Sequence, residues 1–102
     1  MVHTENSVSL VCYDISSNKL RSKIDKCMKD FGTRLQFSVY MCRLDADGMT
    51  RCREKLAKVL KAYGDEKEPG DSLIIFERFN PSIASFLLGR RIECEEPMFG
   101  II

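Results

Sequence analysis

Asp14 is the residue in this chain best placed to do chemistry. It closes an apolar run, Val8 to Tyr13, in which Ser9 is the only polar member. Small polar residues follow at Ser16, Ser17 and Asn18, and a helical pattern begins at Leu20. A short apolar run closed by turn residues reads as a buried strand. Ser and Asn are good helix N-cap types. Asp14 is therefore expected at the C-terminal end of a central strand, just ahead of a helix. Ligands and reacting groups tend to gather at that edge of a sheet. The position suits a functional carboxylate, and it equally suits a residue that only shapes the strand-to-helix turn. Arg21, near the start of the helix, is expected close to it.

Other chemistry has less to work with. The single histidine, His3, sits in a polar N-terminal stretch. Five cysteines, at 12, 27, 42, 52 and 94, show neither a CxxC pair nor a metal-like spacing with His3. Cys12 and Cys42 fall in strand-like runs, and Cys27 and Cys52 on helical stripes. They read as small buried hydrophobes in a reducing cytosol rather than as a disulfide frame or a zinc site. The expected location is cytoplasmic.

The elements that must hold Asp14 can be read in order. The first strand is Val8–Asp14. A helix from about Asn18 to Phe31 carries an apolar stripe at Leu20, Ile24, Cys27, Met28 and Phe31. Gly32 after it reads as a left-handed cap. In Thr33–Leu44 the residues Leu35, Phe37, Val39 and Met41 alternate with Gln36, Ser38, Tyr40 and Cys42, the period-two pattern of a strand. Twelve residues is long against a usual strand of about 5–6. Either the strand bends near Ser38 or two strands meet there. A second helix follows the N-cap Asp45 and runs to about Tyr63, with a stripe at Met49, Cys52, Leu56, Val59, Leu60 and Tyr63, and Gly64 closes it. Asp65–Gly70 is an acidic loop, and Asp71–Phe79 is a strand stopped by Asn80-Pro81. Ser82–Gly89 is apolar and short, and reads as a helical turn or as a strand. Arg90–Ile102 ends in an apolar tail that needs a surface to cover it.

At 102 residues and 44% hydrophobic content the chain is one small domain able to bury one core. It has no apolar run long enough for a transmembrane helix and no signal-peptide pattern, so no membrane role is expected. Net charge is only +1, but it is unevenly spread. Residues 17–61 hold 12 Lys and Arg against 5 Asp and Glu, whereas residues 62–102 hold 4 against 8. That asymmetry suggests a basic and an acidic face, or simply lysine-rich helix surfaces.

The order β, α, split β, α, β suggests an α+β ferredoxin-like layer with both helices on one face of the sheet. YDIS at Tyr13–Ser16, LR at Leu20-Arg21, LQFSVY at Leu35–Tyr40 and DSL at Asp71–Leu73 resemble the CRISPR-associated Cas-two family, in its order and near its spacing. Glu95–Phe99, EEPMF, looks like an acidic-Pro-apolar ending found in one branch. The resemblance covers about residues 8–79. It implies a ferredoxin-like βαββαβ homodimer whose extra C-terminal strand is exchanged between partners. On that reading residues 1–79 form the core domain and residues 80–102 a C-terminal segment belonging to the dimer. It further implies a role in CRISPR adaptation, the capture of DNA spacers beside an integrase subunit. Some members are described as metal-dependent nucleases, others as structural subunits only.

For this chain the resemblance implies a catalytic and metal-ligating role for Asp14. One carboxylate per chain cannot build a two-metal site, but Asp14 and its mate across a dimer axis could share Mg²⁺ or Mn²⁺, which often keep several waters. The candidate nucleic-acid contacts are Lys19, Arg21, Lys23, Lys26, Arg34 and Ser38. Arg21 offers a planar fork suited to phosphate, or is a surface arginine paired with an acid. Ser38 reaches a phosphate or the metal's waters, or is only a serine in a bent strand. Tyr13 and Phe37 read as core or interface aromatics rather than as base-stacking platforms. Two functions from different classes follow: a scaffold that holds duplex DNA for the integrase, favoured by the basic helices and sparse catalytic set, or a metal-dependent endonuclease acting on RNA or DNA. A VapD-like toxin ribonuclease of the same fold is the alternative outside CRISPR.

Overall fold

The computed structural model describes residues 6–80 and residue 82. Chain order is β1 (Ser7–Asp14), α1 (Asn18–Met28), β2 (Gly32–Gln36), β3 (Val39–Leu44), α2 (Ala46–Ala62), a short 3-10 turn (Gly64–Glu66) and β4 (Ser72–Phe76). The strands form one sheet in the order β2-β3-β1-β4, and every neighbouring pair is antiparallel. This is the ferredoxin-like α+β arrangement expected from the element order. The expectations for residues 80–102, an exchanged strand and an apolar tail, fall outside the described residues apart from Asn80 and Ser82.

Both helices start where side-chain caps allow. The Ser17 hydroxyl accepts the Leu20 N–H at 3.1 Å, and the Asp45 carboxylate accepts the Gly48 N–H at 2.8 Å. Each cap satisfies a donor that the first helical turn leaves unpaired. The α1 stripe is Leu20, Ile24 and Met28, all fully buried. Sealing side chains of this size stabilises the fold by about 1.5–3 kcal/mol each. From α2 come Met49, Cys52 and Leu56. Against them the sheet presents Val11, Tyr13, Tyr40 and Cys42. Ser9 lies among these residues, fully buried, and its hydroxyl has no hydrogen-bond partner among the described residues.

Three local expectations need correction. Helix α1 ends at Met28 rather than at Phe31; the Lys29 N–H caps it and a tight turn follows. Gly32 is not a left-handed cap. It is the first residue of β2, and a Cβ there would meet the Met41 carbonyl oxygen at 2.5 Å and Cys42 Sγ at 2.7 Å. Close backbone approach, not unusual dihedrals, is what needs glycine here. The last strand is shorter than Asp71–Phe79, because Glu77-Arg78 makes a turn with Arg78 at φ 57°.

The Thr33–Leu44 region is two strands. Gln36 pairs with Val39 across a two-residue loop, Phe37-Ser38, with a register irregularity between Arg34 and Gln36. Ser38 takes φ 68°, so the chain reverses there without glycine.

Cross-strand pairing defines the face turned away from the helices. Met41, Leu10 and Phe76 lie opposite one another across three strands, as do Val39, Cys12 and Ile74. Ile74 and Phe76 are about half exposed, at 48% and 50%. Asp14, paired with Ser72, continues the same row two residues beyond Cys12. The candidate carboxylate therefore borders an uncovered apolar strip.

Candidate functional site

Asp14 ends β1 exposed, as the turn chemistry after it predicts. It lines a shallow depression of about 260 Å³ together with Tyr13, Ile15, Arg21, Phe37 and Ser38. Three elements meet there: the end of β1, the first turn of α1 and the tip of the β2–β3 hairpin. The hairpin tip is held by one bond outside the regular ladder, the Tyr13 N–H donating to the Ser38 carbonyl at 3.1 Å.

The strand-to-helix turn is braced from two sides. The Arg21 guanidinium folds back to donate to the Ile15 carbonyl at 2.5 Å and also to the Asn18 side chain. From the other side, Asp71 accepts both the N–H and the hydroxyl of Ser16 at 2.9 Å, and its second oxygen accepts the Glu68 N–H at 2.9 Å. The Glu68 N–H, followed by the two Ser16 donors, holds the Asp71 carboxyl below its ordinary range. Ser17 donates to Glu66 at 2.6 Å. The backbone that carries Asp14 is thus fixed by residues of the acidic loop and the start of β4.

Behind Asp14, Tyr13 points the opposite way, into the core. Its hydroxyl donates to Asp25 of α1, and its ring stacks on Tyr40 with centroids 6.4 Å apart. Burial, then the hydrogen bond to Asp25, pushes the Tyr13 phenol well above its ordinary range. It stays protonated and works as a structural donor.

Arg21 lies 5.3 Å from the Phe37 ring centroid, and Arg34 lies 5.5 Å from it. Phe37 itself is 63% exposed. Within the chain it is not a core aromatic, in contrast to Tyr13, which is. Two guanidiniums beside one exposed ring make a positively charged apolar platform next to a carboxylate. A guanidinium has five N–H donors, so Arg21 keeps some for a phosphate after bracing the turn.

The candidate residues therefore separate. Asp14, Arg21 and Ser38 come together in one depression, with Arg34 beside Phe37 but outside its lining. Lys23 and Lys26 do not join them; they line a groove between α1 and α2, and Lys19 sits 5.8 Å from the Tyr63 ring beside it. Phe37, Asp71 and Glu66 carry parts of the site that the sequence reading did not assign. The one signal for Phe37 was its place before Ser38, where the long strand pattern had to break. The long-range brace from Asp71 and Glu66 had no local signal.

No group of three or more His, Cys, Asp or Glu able to hold a metal occurs among the described residues. Asp14 is a hard oxygen donor, exposed and beside an uncovered face. That donor chemistry fits an ion that takes one or two carboxylates and keeps its waters, provided a second chain brings a second Asp14.

A family model described as CRISPR associated protein Cas2 matches residues 7–80. The chain belongs to the CRISPR associated protein Cas2 family. Relatives include CRISPR-associated endoribonuclease Cas2 4 of Rhodospirillum rubrum, 38% identical over 56 residues, covering 55% of this chain and 45% of the relative. CRISPR-associated endoribonuclease Cas2 1 of Chloroflexus aurantiacus is 36% identical over 67 residues, covering 66% of this chain and 67% of the relative. The chain thus spans under half the length of the first relative and two thirds of the second. Among solved structures, a hypothetical protein, TT1823 from Thermus thermophilus, superposes with a TM-score of 0.69 at 25% identity, over 86% of this chain and 99% of that one. A structure described as cas2 superposes at 0.54 with 18% identity, over 89% and 95%, which speaks for the fold alone. The family match includes every element that builds the Asp14 depression.

Proposed function

We propose that this Cas2-family chain acts as a homodimeric subunit in CRISPR spacer acquisition, holding nucleic-acid phosphates for an integrase partner. A divalent-metal nuclease activity, with Mg²⁺ or Mn²⁺, accompanies this role at the Asp14 pair. The observation that carries the reading is the placement of one exposed carboxylate per chain at the end of an uncovered apolar strip. A second copy laid on that strip about a two-fold axis brings two Asp14 residues toward each other and covers Ile74 and Phe76. Arg21, Arg34 and Ser38 then flank the axis from both chains. The residues offer phosphate contacts, which are blind to sequence, and no general base other than the carboxylates. Asp14 from each chain would hold the ion, whose chemistry is to activate a bound water against a phosphodiester. The C-terminal segment, residues 80–102, completes the dimer on this reading. No described helix is long and apolar enough to cross a membrane, and the setting proposed is cytoplasmic.

A second reading makes cleavage the main activity, acting on RNA. The relatives named as endoribonucleases favour it. The same substitution separates the two. Asp14→Asn keeps the shape and removes the charge that the ion needs. Divalent-dependent cleavage should disappear, while spacer integration with the integrase survives. Loss of both activities would overturn the scaffold reading. Cleavage that persists in highly purified variant protein would remove Asp14 as the metal ligand.

A further inference from the structure

The groove between α1 and α2 is lined by Lys23, Lys26, Lys55 and Lys58 around a floor of Cys27, Val59 and Tyr63, with Asp30 the one carboxylate in its wall. It encloses about 410 Å³ and shares no residue with the Asp14 depression. Lys23 lies 5.5 Å from the Tyr63 ring centroid and Lys19 lies 5.8 Å from it, so a fifth ammonium joins at one end. Among the described residues, none of these lysines forms an ion pair; the salt bridge of this surface layer is Arg53 with Glu77.

Such an arrangement costs the free protein something. Like charges on facing helices repel, and the acids at four-residue spacing, Asp30 after Lys26 and Glu54 before Lys58, relieve this only in part because neither closes an ion pair among the described residues. The groove gathers five ammoniums against one carboxylate in its wall, which is the electrostatic footprint of a polyanion site. Lys19, Lys23 and Lys26 follow one another by single turns of α1. From first to last they span about 10 Å of helix axis at about 1.5 Å per residue. Over that length one strand of B-form duplex presents about three phosphates. Lys55 and Lys58, one turn apart on α2, form the second wall. An acidic peptide matches the charge as well; nucleic acid is preferred because of the proposed function and the aromatic ring among the lysines. Lysine is a compact point charge able to meet a phosphate from several directions, and an aromatic ring in a basic groove is a recurrent feature of sequence-blind strand binding.

We infer that the α1–α2 groove is a second phosphate-backbone site, formed by Lys19, Lys23 and Lys26 with Lys55 and Lys58 around Tyr63, and separate from the Asp14 depression. It rests on the reading that this chain handles nucleic acid, and it adds a tract on the helical layer. A nucleic acid held there runs over the helices, leaving the sheet face free for a second copy of the chain.

The test is fluorescence anisotropy of labelled duplex and single-stranded oligonucleotides, titrated with the full-length protein at several salt concentrations. The double variant Lys55→Gln, Lys58→Gln should lower the slope of log K against log salt by about 2, in whichever nucleic-acid form occupies the groove. Arg53→Gln with Lys67→Gln makes the same charge change away from the Lys55–Lys58 face of α2 and should leave the slope unmoved. Lys55→Arg with Lys58→Arg should restore it. An unchanged slope in the groove variant, with wild-type binding intact, overturns the groove while leaving the proposed function standing. Equal losses in the groove and control variants would show a general charge effect and also overturn it. Wild-type protein that binds neither oligonucleotide in a salt-dependent way removes both readings. Capture of poly-glutamate but of neither oligonucleotide would assign the groove to a protein partner instead.

Discussion

The backbone N–H of Tyr13 reaches across to the carbonyl of Ser38 at 3.1 Å. One hydrogen bond thereby ties the tip of the β2–β3 hairpin to the end of β1, one residue before Asp14. It is the link that brings Phe37 and Ser38 to the carboxylate. Because Ser38 sits at φ 68°, a β-branched residue would have little freedom to keep that carbonyl in place.

The Ser38 backbone gives the first expectation. A β-branched side chain is costly in the left-handed region, about 1–2 kcal/mol. Ser38→Val should lower thermal stability by that amount and weaken phosphate binding at the depression, whereas Ser38→Gly should keep the fold. Denaturation curves and salt-dependent binding of both variants decide it. Equal stability for the two would mean that the positive φ imposes no constraint.

The Tyr13–Asp25 pair concerns the support behind Asp14. Tyr13→Phe removes the donor to Asp25 and leaves only the Tyr40 hydroxyl, at 3.4 Å, near that carboxylate. A stability loss of about 1–3 kcal/mol is expected. Combining it with Asp25→Ala should cost clearly less than the two single losses together, because both remove one interaction. Additive losses in chemical denaturation would show that the two groups do not act as a pair.

Acid stability should report on Asp71. Its folded carboxyl titrates below its ordinary 3.8 because it accepts the Glu68 N–H and the two Ser16 donors. A depressed folded value stabilises the protein above the unfolded value, and the contribution is lost as pH falls through the folded value. Wild type should therefore lead Asp71→Asn at neutral pH, and the lead should shrink below about pH 4. A constant gap in melting temperature across that range would mean that the charge of Asp71 plays no part in the brace.

Assembly is tested on the uncovered strip. Ile74→Asp with Phe76→Asp places charges where the proposed partner chain must pack, and it touches residues already half exposed in the monomer. Sedimentation should show dissociation with the monomer fold retained by circular dichroism. Removing Ile92–Ile102 should also weaken the dimer or cause aggregation. A double variant that remains a dimer would place the interface on another surface.

Much of this molecule was legible in one dimension. The stripes of Leu20, Ile24 and Met28 and of Met49, Cys52 and Leu56, the cap Asp45, the cluster of cap types Ser16, Ser17 and Asn18 from which the fold takes Ser17, and the alternation around Leu35–Met41 are local patterns, set by side-chain period and by the hydrogen-bonding needs of helix ends. They fixed the element order, and the element order carried the fold class. The turn residues after Asp14 likewise placed it exposed at a strand end. The loop at Phe37-Ser38 stayed ambiguous because no Gly or Pro marks it, and a serine had to accept the left-handed position. Gly32 misled because a glycine after a helix usually serves its dihedral freedom, whereas here it serves the approach of Met41 and Cys42 from a strand ten residues on. Only the tertiary structure separated the basic residues. Arg21 joined Asp14 and Phe37, while Lys23 and Lys26 of the same helix turned to meet Lys55 and Lys58. That division depends on where α2 packs against α1, and hence on contacts between distant residues that no local spacing encodes. The brace of Asp71 on Ser16 has the same origin: its partners are 55 residues apart, and only closure of the sheet brings them together.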